Sequence, residues 1–149
     1  MKTRILCILV LGLFCLSLLS ACAPQAPTLS IESSWGKPSP SIAGAGAFFM
    51  VIKNSSGVAD KLVSAQSSAC GMTELHTMVK KADGTMMMTL VTDGIDVPAN
   101  GQVELKSGSF HVMCMKMAAD QLVAGAKPSL SLKFEKSGEK SVTIDMRAQ

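Results

Sequence analysis

The sequence predicts a single all-β domain, a Greek-key sandwich or barrel of about eight strands, and three observations carry that prediction. Short segments alternate apolar with polar residues or run wholly apolar. Clusters of Gly, Pro, Asn, Asp and Ser punctuate them. No stretch repeats its apolar residues with the period of an amphipathic helix. A chain of 149 residues has room for one such domain.

The domain follows a leader and a tether. Lys2 and Arg4 precede an unbroken weakly polar or apolar run from Ile5 to Leu19. That run is too short to span a bilayer comfortably and fits the core of a signal peptide, residues 1–21. It ends in Leu19-Ser20-Ala21-Cys22, which resembles the bacterial lipobox, whose cysteine thiol receives lipid. Alanine rather than aspartate at position 23 points to the outer membrane under the sorting rule of enterobacterial lipoproteins. Residues 22–28, with Pro24 and Pro27, read as a short extended tether, and residues 29–149 as the folded domain. Loss of Lys2 and Arg4 from the 14 basic residues leaves 12 against 11 acidic ones, a net charge of +1. A near-neutral chain without a basic cluster argues against nucleic acid and against an electrostatic membrane patch. Membrane contact is expected through the lipid alone, and the domain is expected to be a monomer.

The elements follow in order. Leu29 to Trp35 alternates and breaks at Gly36-Lys37-Pro38-Ser39-Pro40. Ala45 to Lys53 contains Ala47-Phe48-Phe49-Met50-Val51-Ile52, apolar on both faces as a central strand requires. Asn54-Ser55-Ser56-Gly57 is a turn, and Asp60 to Gln66 alternates again. Thr73 to Lys80 and Thr85 to Val91 flank Asp83-Gly84, a hairpin signal. Beyond the turn at 97–101 come Gln102 to Lys106 and Phe110 to Met115. Ser129 to Glu135 and Ser141 to Met146 close the chain around Ser137-Gly138.

One stretch, Met72 to Met117, holds both histidines of the chain and eight of its eleven methionines. Strand periodicity sorts it by face. Glu74, His76 and Met78 share one side of their strand; Met86, Met88 and Leu90 share one side of the next, opposite Met87. His111, Met113 and Met115 share a side, opposite Val112 and Cys114. Methionine is also a common core filler, and a lone histidine is more often hydrogen-bonded than metal-bound. The coincidence weighs the other way: the only two histidines each stand two residues before a methionine on a β-segment. Imidazole with thioethers is the soft ligand set that suits copper(I).

These residues resemble a family. His76, Met88 and His111-x-Met113, with Glu74-Leu75 ahead of them, Gly94 to Gly101 between them and Val103-Glu104-Leu105-Lys106, resemble the periplasmic CuA chaperone family, PCuAC. The resemblance runs from about Ile31 to Met146 and is densest from Glu74 to Met115. The family pattern is His, ten residues, Met, twenty-one residues, then His-x-Met. Here the two intervals are eleven and twenty-two residues, which leaves Met86 or Met87 as substitutes for Met88. The resemblance implies a cupredoxin-like Greek-key β-barrel that binds one Cu(I) at its surface through His76, Met88, His111 and Met113. It implies delivery of that copper to the CuA subunit of cytochrome c oxidase or to another copper chaperone. A periplasmic storage or resistance role is the alternative within the same chemistry.

Of the five cysteines, Cys7 and Cys15 leave with the leader and Cys22 takes lipid. Cys70 and Cys114 remain in a compartment that favours disulfides. They pair, stay as thiols, or Cys114 serves as a ligand. The last option belongs to a rival from another class, a blue-copper electron carrier built from His76, His111, Cys114 and Met117. The order counts against it, since there the cysteine precedes the second histidine. An enzyme is not expected: no Ser-His-Asp set, phosphate loop, carboxylate pair or Cys-x-x-Cys is present. The C-terminus ends Met146-Arg147-Ala148-Gln149, without a His-rich tail for a second copper site. Glu74 reads equally as a solvated strand residue or as an outer partner that orients the His76 ring.

Overall fold

In the computed structural model, which describes residues 26–148, alternation and turn residues produce eleven strands. The leader, Cys22 and Gln149 lie outside the described residues. The strands are β1 (Leu29–Pro38), β2 (Gly46–Asn54), β3 (Asp60–Gln66), β4 (Met72–Lys80), β5 (Met86–Leu90) and β6 (Ile95–Val97). They continue with β7 (Gly101–Leu105), β8 (His111–Met115), β9 (Ser129–Phe134), β10 (Gly138–Thr143) and β11 (Asp145–Met146). Seven make one sheet in the order β11-β1-β2-β8-β4-β5, with β7 joining β2, and four make a second, β10-β9-β3-β6. Among the described residues the only helical element is a 3₁₀ turn at Ala119–Gln121.

The apolar run in β2 makes it the centre of the larger sheet. It pairs with β1 on one side, and on the other with β8 over Gly46–Phe48 and with β7 over Met50–Asn54. Its inward side chains Phe48, Met50 and Ile52 join Leu62, Leu130, Leu132 and Phe134 in the core, none more than 2% exposed. Burial of each such side chain contributes about 1.5–3 kcal/mol. Phe49, on the other face of β2, is also buried, against Trp35 at 4.5 Å between ring centroids. Both faces of β2 are therefore covered, as its sequence requires.

The structure departs from the sequence reading at β6, a three-residue strand that alternation over so short a span did not reveal, at β10, which begins at Gly138 rather than Ser141, and in three further places. The segment from Ser141 to Met146 divides: β10 pairs with β9, Ile144 drops into the core at 0% exposure, and β11 crosses to pair in parallel with Trp35 and Gly36. Alternation alone does not reveal a parallel partner so distant in sequence. β1 runs on past Gly36 to Pro38, because a bulge at Ser33 (φ 52°) absorbs the irregularity. Pro38 pairs only with Gly46, beyond the end of β11, so its missing N–H faces an open edge. The tether is shorter than expected. The Pro27 carbonyl accepts from Ser137 Oγ at 2.9 Å and the Thr28 carbonyl from the Ser55 N–H at 3.1 Å, which pins both residues to the domain.

Two further devices hold the sandwich. Cys70, ahead of β4, is bonded to Cys114 on β8, with Cα atoms 5.4 Å apart. Asp60, buried at the start of β3, accepts from the N–H groups of Lys61, Lys136 and Ser137 and from Ser137 Oγ. It fastens β3 to the β9–β10 turn. Burial alone would raise the Asp60 carboxyl, but these hydrogen bonds together hold it below the ordinary aspartate range.

Two outcomes are expected. Thiol titration of the unfolded, unreduced mature chain should find neither Cys70 nor Cys114 reactive, and reduction should cost about 2–4 kcal/mol in urea unfolding. Two reactive thiols would contradict the bridge. Asp60→Asn should cost about 1–3 kcal/mol, because the amide cannot accept all four bonds. Asp60 has a depressed folded pKa, so its contribution is present above the ordinary aspartate pKa and lost as pH falls through the folded value. Unfolding at a series of acid pH values should show that loss in the wild type and not in Asp60→Asn.

Candidate metal site

The antiparallel register of β4 and β8 builds the site. His76 stands directly opposite His111, Glu74 opposite Met113 and Met72 opposite Met115. On the other side of β4, Met78 pairs with Met88, Val79 with Met87 and Lys80 with Met86. Because strand side chains alternate, Glu74, His76, Met78, Met86, Met88, His111 and Met113 all project from the outer face of the sheet. Met87 and Cys114 project from the other face. A lateral row of Trp35, Phe49, His111, His76 and Leu90 crosses five strands on the outer face.

Over this face the chain from Lys37 to Ile42 and the turn at Ser107-Gly108 raise the walls of an open cavity of about 480 Å³. Met78, Met86, Met88, His111 and Met113 line it, with Phe49 behind them. The floor is dry: His111 is 6% exposed and Met113 3%. The rim is wet: Met88 is 39% exposed and Met86 50%. His76 does not line the opening. It is buried one strand further across, its ring centroid 5.8 Å from that of His111 and nearly perpendicular to it.

The two histidines have different hydrogen-bond partners. His111 Nδ1 lies 2.9 Å from the Ser109 carbonyl and His76 Nε2 lies 2.8 Å from Glu74 Oε2. His76 Nδ1 is buried without a partner among the described residues. Burial pushes the His111 imidazole below its ordinary pKa. The Ser109 carbonyl acts the other way, and the neighbouring His76 adds a smaller downward push. A ring that stays neutral keeps a nitrogen lone pair for a metal.

The sequence reading overlooked Met78 as a lining residue. It faces Met88 across β4 and β5 and shares the same cavity. Its signal was present, since Met78 follows His76 at the spacing by which Met113 follows His111. The rival blue-copper arrangement is not available. Cys114 is in the disulfide, fully buried on the far face of β8, and Met117 packs in the core. Among the described residues no three His, Cys, Asp or Glu side chains gather as a metal site, so any ion held here must draw on thioethers. A larger hollow of about 690 Å³ beside the disulfide is lined mostly by Ser, Gln and Thr and contains no histidine.

Known structures share this fold. The copper-bound PCuAC domain from PmoF2 superposes with a TM-score of 0.66 at 19% identity, covering 87% of this chain and all of that one. The apo PCuAC domain from PmoF1 gives 0.67 at 22% identity, covering 84% and 98%. The Cu(I) form of DR1885 from Deinococcus radiodurans gives 0.58 at 21% identity, covering 87% and 83%. The architecture is that of the PCuAC domains, the cupredoxin-like barrel the sequence pointed to. A curated relative, "Putative lipoprotein Lxx21020" of Leifsonia xyli subsp. xyli (strain CTCB07), is 31% identical over 123 residues, 83% of this chain and 72% of its own length. The family model described as "Putative lipoprotein LpqE-like" matches residues 29–146, and the chain belongs to that LpqE-like family.

The depressed His111 pKa gives a measurable outcome. NMR titration of the metal-free domain should place it below the ordinary imidazole value of about 6.5. The neutral ring's contribution to stability is then fully present above that value and lost as pH falls through the folded one. A His111 pKa above 6.5 would contradict the burial argument.

Proposed function

We propose that this protein is an extracytoplasmic copper carrier, a lipoprotein anchored through Cys22, that holds one Cu(I) with His76, Met88, His111 and Met113. The observation that carries the reading is a buried His111–Met113 floor beneath a rim of exposed thioethers, with His76 directly across the strand pair. Met88 is the rim ligand of choice because it faces Met78 on the site side and is less exposed than Met86, the substitute on the same face. Met87 points away. The soft neutral ligands suit Cu(I) and, unlike thiolates, do not form disulfides in an oxidising compartment. The copper-bound and Cu(I) forms of structures with this fold support copper as the ion.

A floor-and-rim arrangement fits delivery. The rim thioethers Met86 and Met88 are accessible to an acceptor while His111 and Met113 still hold the ion. Ligands are then exchanged one at a time and the metal is never stripped bare. The domain enters β1 at Leu29, and the cavity is lined by Lys37 and Pro38 at the strand's other end. An anchored molecule therefore offers the site away from its lipid end. The acceptor we favour is the CuA subunit of cytochrome oxidase, and the protein itself carries out no catalysis.

Competition titration with a chromophoric Cu(I) chelator tests the ligand set. One Cu(I) per chain is expected, with affinity lowered at least about tenfold, ~1.4 kcal/mol, by Met88→Leu and by His111→Ala. Met87→Leu should leave it unchanged. Wild-type affinity in a His111→Ala, Met113→Leu double variant would refute the site. Delivery is tested by mixing the loaded protein with an apo CuA domain: copper should move to the acceptor, and retention by this chain would favour storage.

A further inference from the structure

The copper-site reading leaves open which nitrogen of each imidazole meets the metal, and the hydrogen bonds answer it. A neutral imidazole carries one N–H and one lone pair, and the partner of the N–H decides which nitrogen is which. Glu74 Oε2, 2.8 Å from His76 Nε2, belongs to a carboxylate, which accepts and does not donate. The proton of the neutral His76 ring therefore sits on Nε2 and the lone pair on Nδ1. The Ser109 carbonyl, 2.9 Å from His111 Nδ1, is likewise only an acceptor, so His111 carries its lone pair on Nε2. The two rings face each other across one strand pair as opposite tautomers.

We propose that Glu74 is a positioning residue that assigns Nδ1 of His76 to the metal, while the Ser109 carbonyl assigns Nε2 of His111. The inference rests on the copper-site reading and deepens it. Its second support is independent of the tautomer argument. His76 Nδ1 is buried and has no partner among the described residues, a condition that is destabilising unless something fills it. An unpaired lone pair held beside His111, with ring centroids 5.8 Å apart, is a vacant ligand atom.

The placement of Glu74 follows from strand geometry. It stands two residues before His76 on β4, so both project from the same face, and opposite Met113 on β8. Its side chain is 30% exposed against 11% for His76, so it reaches its partner from the solvent edge and leaves the floor of the site to softer atoms. The carboxylate also places a negative charge beside an ion whose proposed ligands are all neutral, an attraction damped by its partial exposure. Loss of such an outer partner typically lowers metal affinity by about 10–100-fold.

Because Cu(I) is diamagnetic, long-range ¹H–¹⁵N correlation of the labelled mature domain reads each ring nitrogen directly at about pH 8, above the imidazole range. In the metal-free wild type His76 should show the Nε2–H tautomer and His111 the Nδ1–H tautomer. One equivalent of Cu(I) should shift His76 Nδ1 and His111 Nε2 while His76 Nε2 keeps its proton. Glu74→Ala should mix the His76 tautomers and weaken Cu(I) about tenfold or more. Glu74→Gln, whose amide oxygen still accepts from Nε2–H, should restore the tautomer and part of the affinity. A Cu(I) shift at His76 Nε2 in the wild type, or an unchanged His76 tautomer in Glu74→Ala, overturns the proposal. A shift at His111 Nε2 with none at His76 Nδ1 leaves copper on His111, Met88 and Met113, removes His76 from the ligand set and overturns the role of Glu74. No shift at either ring refutes the copper site and this inference together.

Discussion

The pairing of β4 with β8 is the constraint on which the site depends. An antiparallel ladder has a side-chain period of two, so a slip of one residue would move every outward group inward. In this register His76 meets His111 and Glu74 meets Met113. Shifted by one, Leu75 and Val112 would face solvent and the histidines would enter the core. The penalty for that exchange falls on several large apolar side chains at once, so burial of Leu75, Val112 and Cys114 fixes the geometry of the opposite face.

β8 therefore has two occupations. Its inner face is tied to the core by Val112 and by the bond from Cys114 to Cys70, while its outer face carries His111 and Met113. The disulfide anchors the backbone one residue from each of Met113 and Met115 without placing sulfur near the cavity. Cysteine is used for structure, and methionine lines the candidate site. That division suits an oxidising compartment, where a thiolate ligand would be at risk of the oxidation that the structural pair has already undergone.

The outer face is unusual for a β-sandwich because it is partly dry. Trp35 and Phe49 back His111, and the chain from Lys37 to Ile42 covers what would otherwise be a solvated surface. Removal from water pushes the His111 imidazole below its ordinary pKa. Among the described residues no further strand lies beyond β5 at the edge of the sheet, and Met86 and Met88 are exposed there. A buried floor with an exposed edge follows from where the sheet ends.

The sequence by itself determined the all-β class, most strand positions, and the faces of His76, Met78, Met86, Met87, Met88, His111, Met113 and Met115. Alternation with period two encodes all three locally. It also carried the His-x-Met pairs and the separation of Met87 and Cys114 from the other candidates. Tertiary structure alone decided that His76 and His111 are direct cross-strand partners, because register between strands more than thirty residues apart depends on the whole core. It decided the bonding of Cys70 to Cys114, the parallel return of β11 to β1, and the wall over the cavity. It also brought Met78 into the lining and set the Glu74–His76 hydrogen bond, whose geometry rests on rotamers selected by neighbouring strands rather than on spacing along the chain.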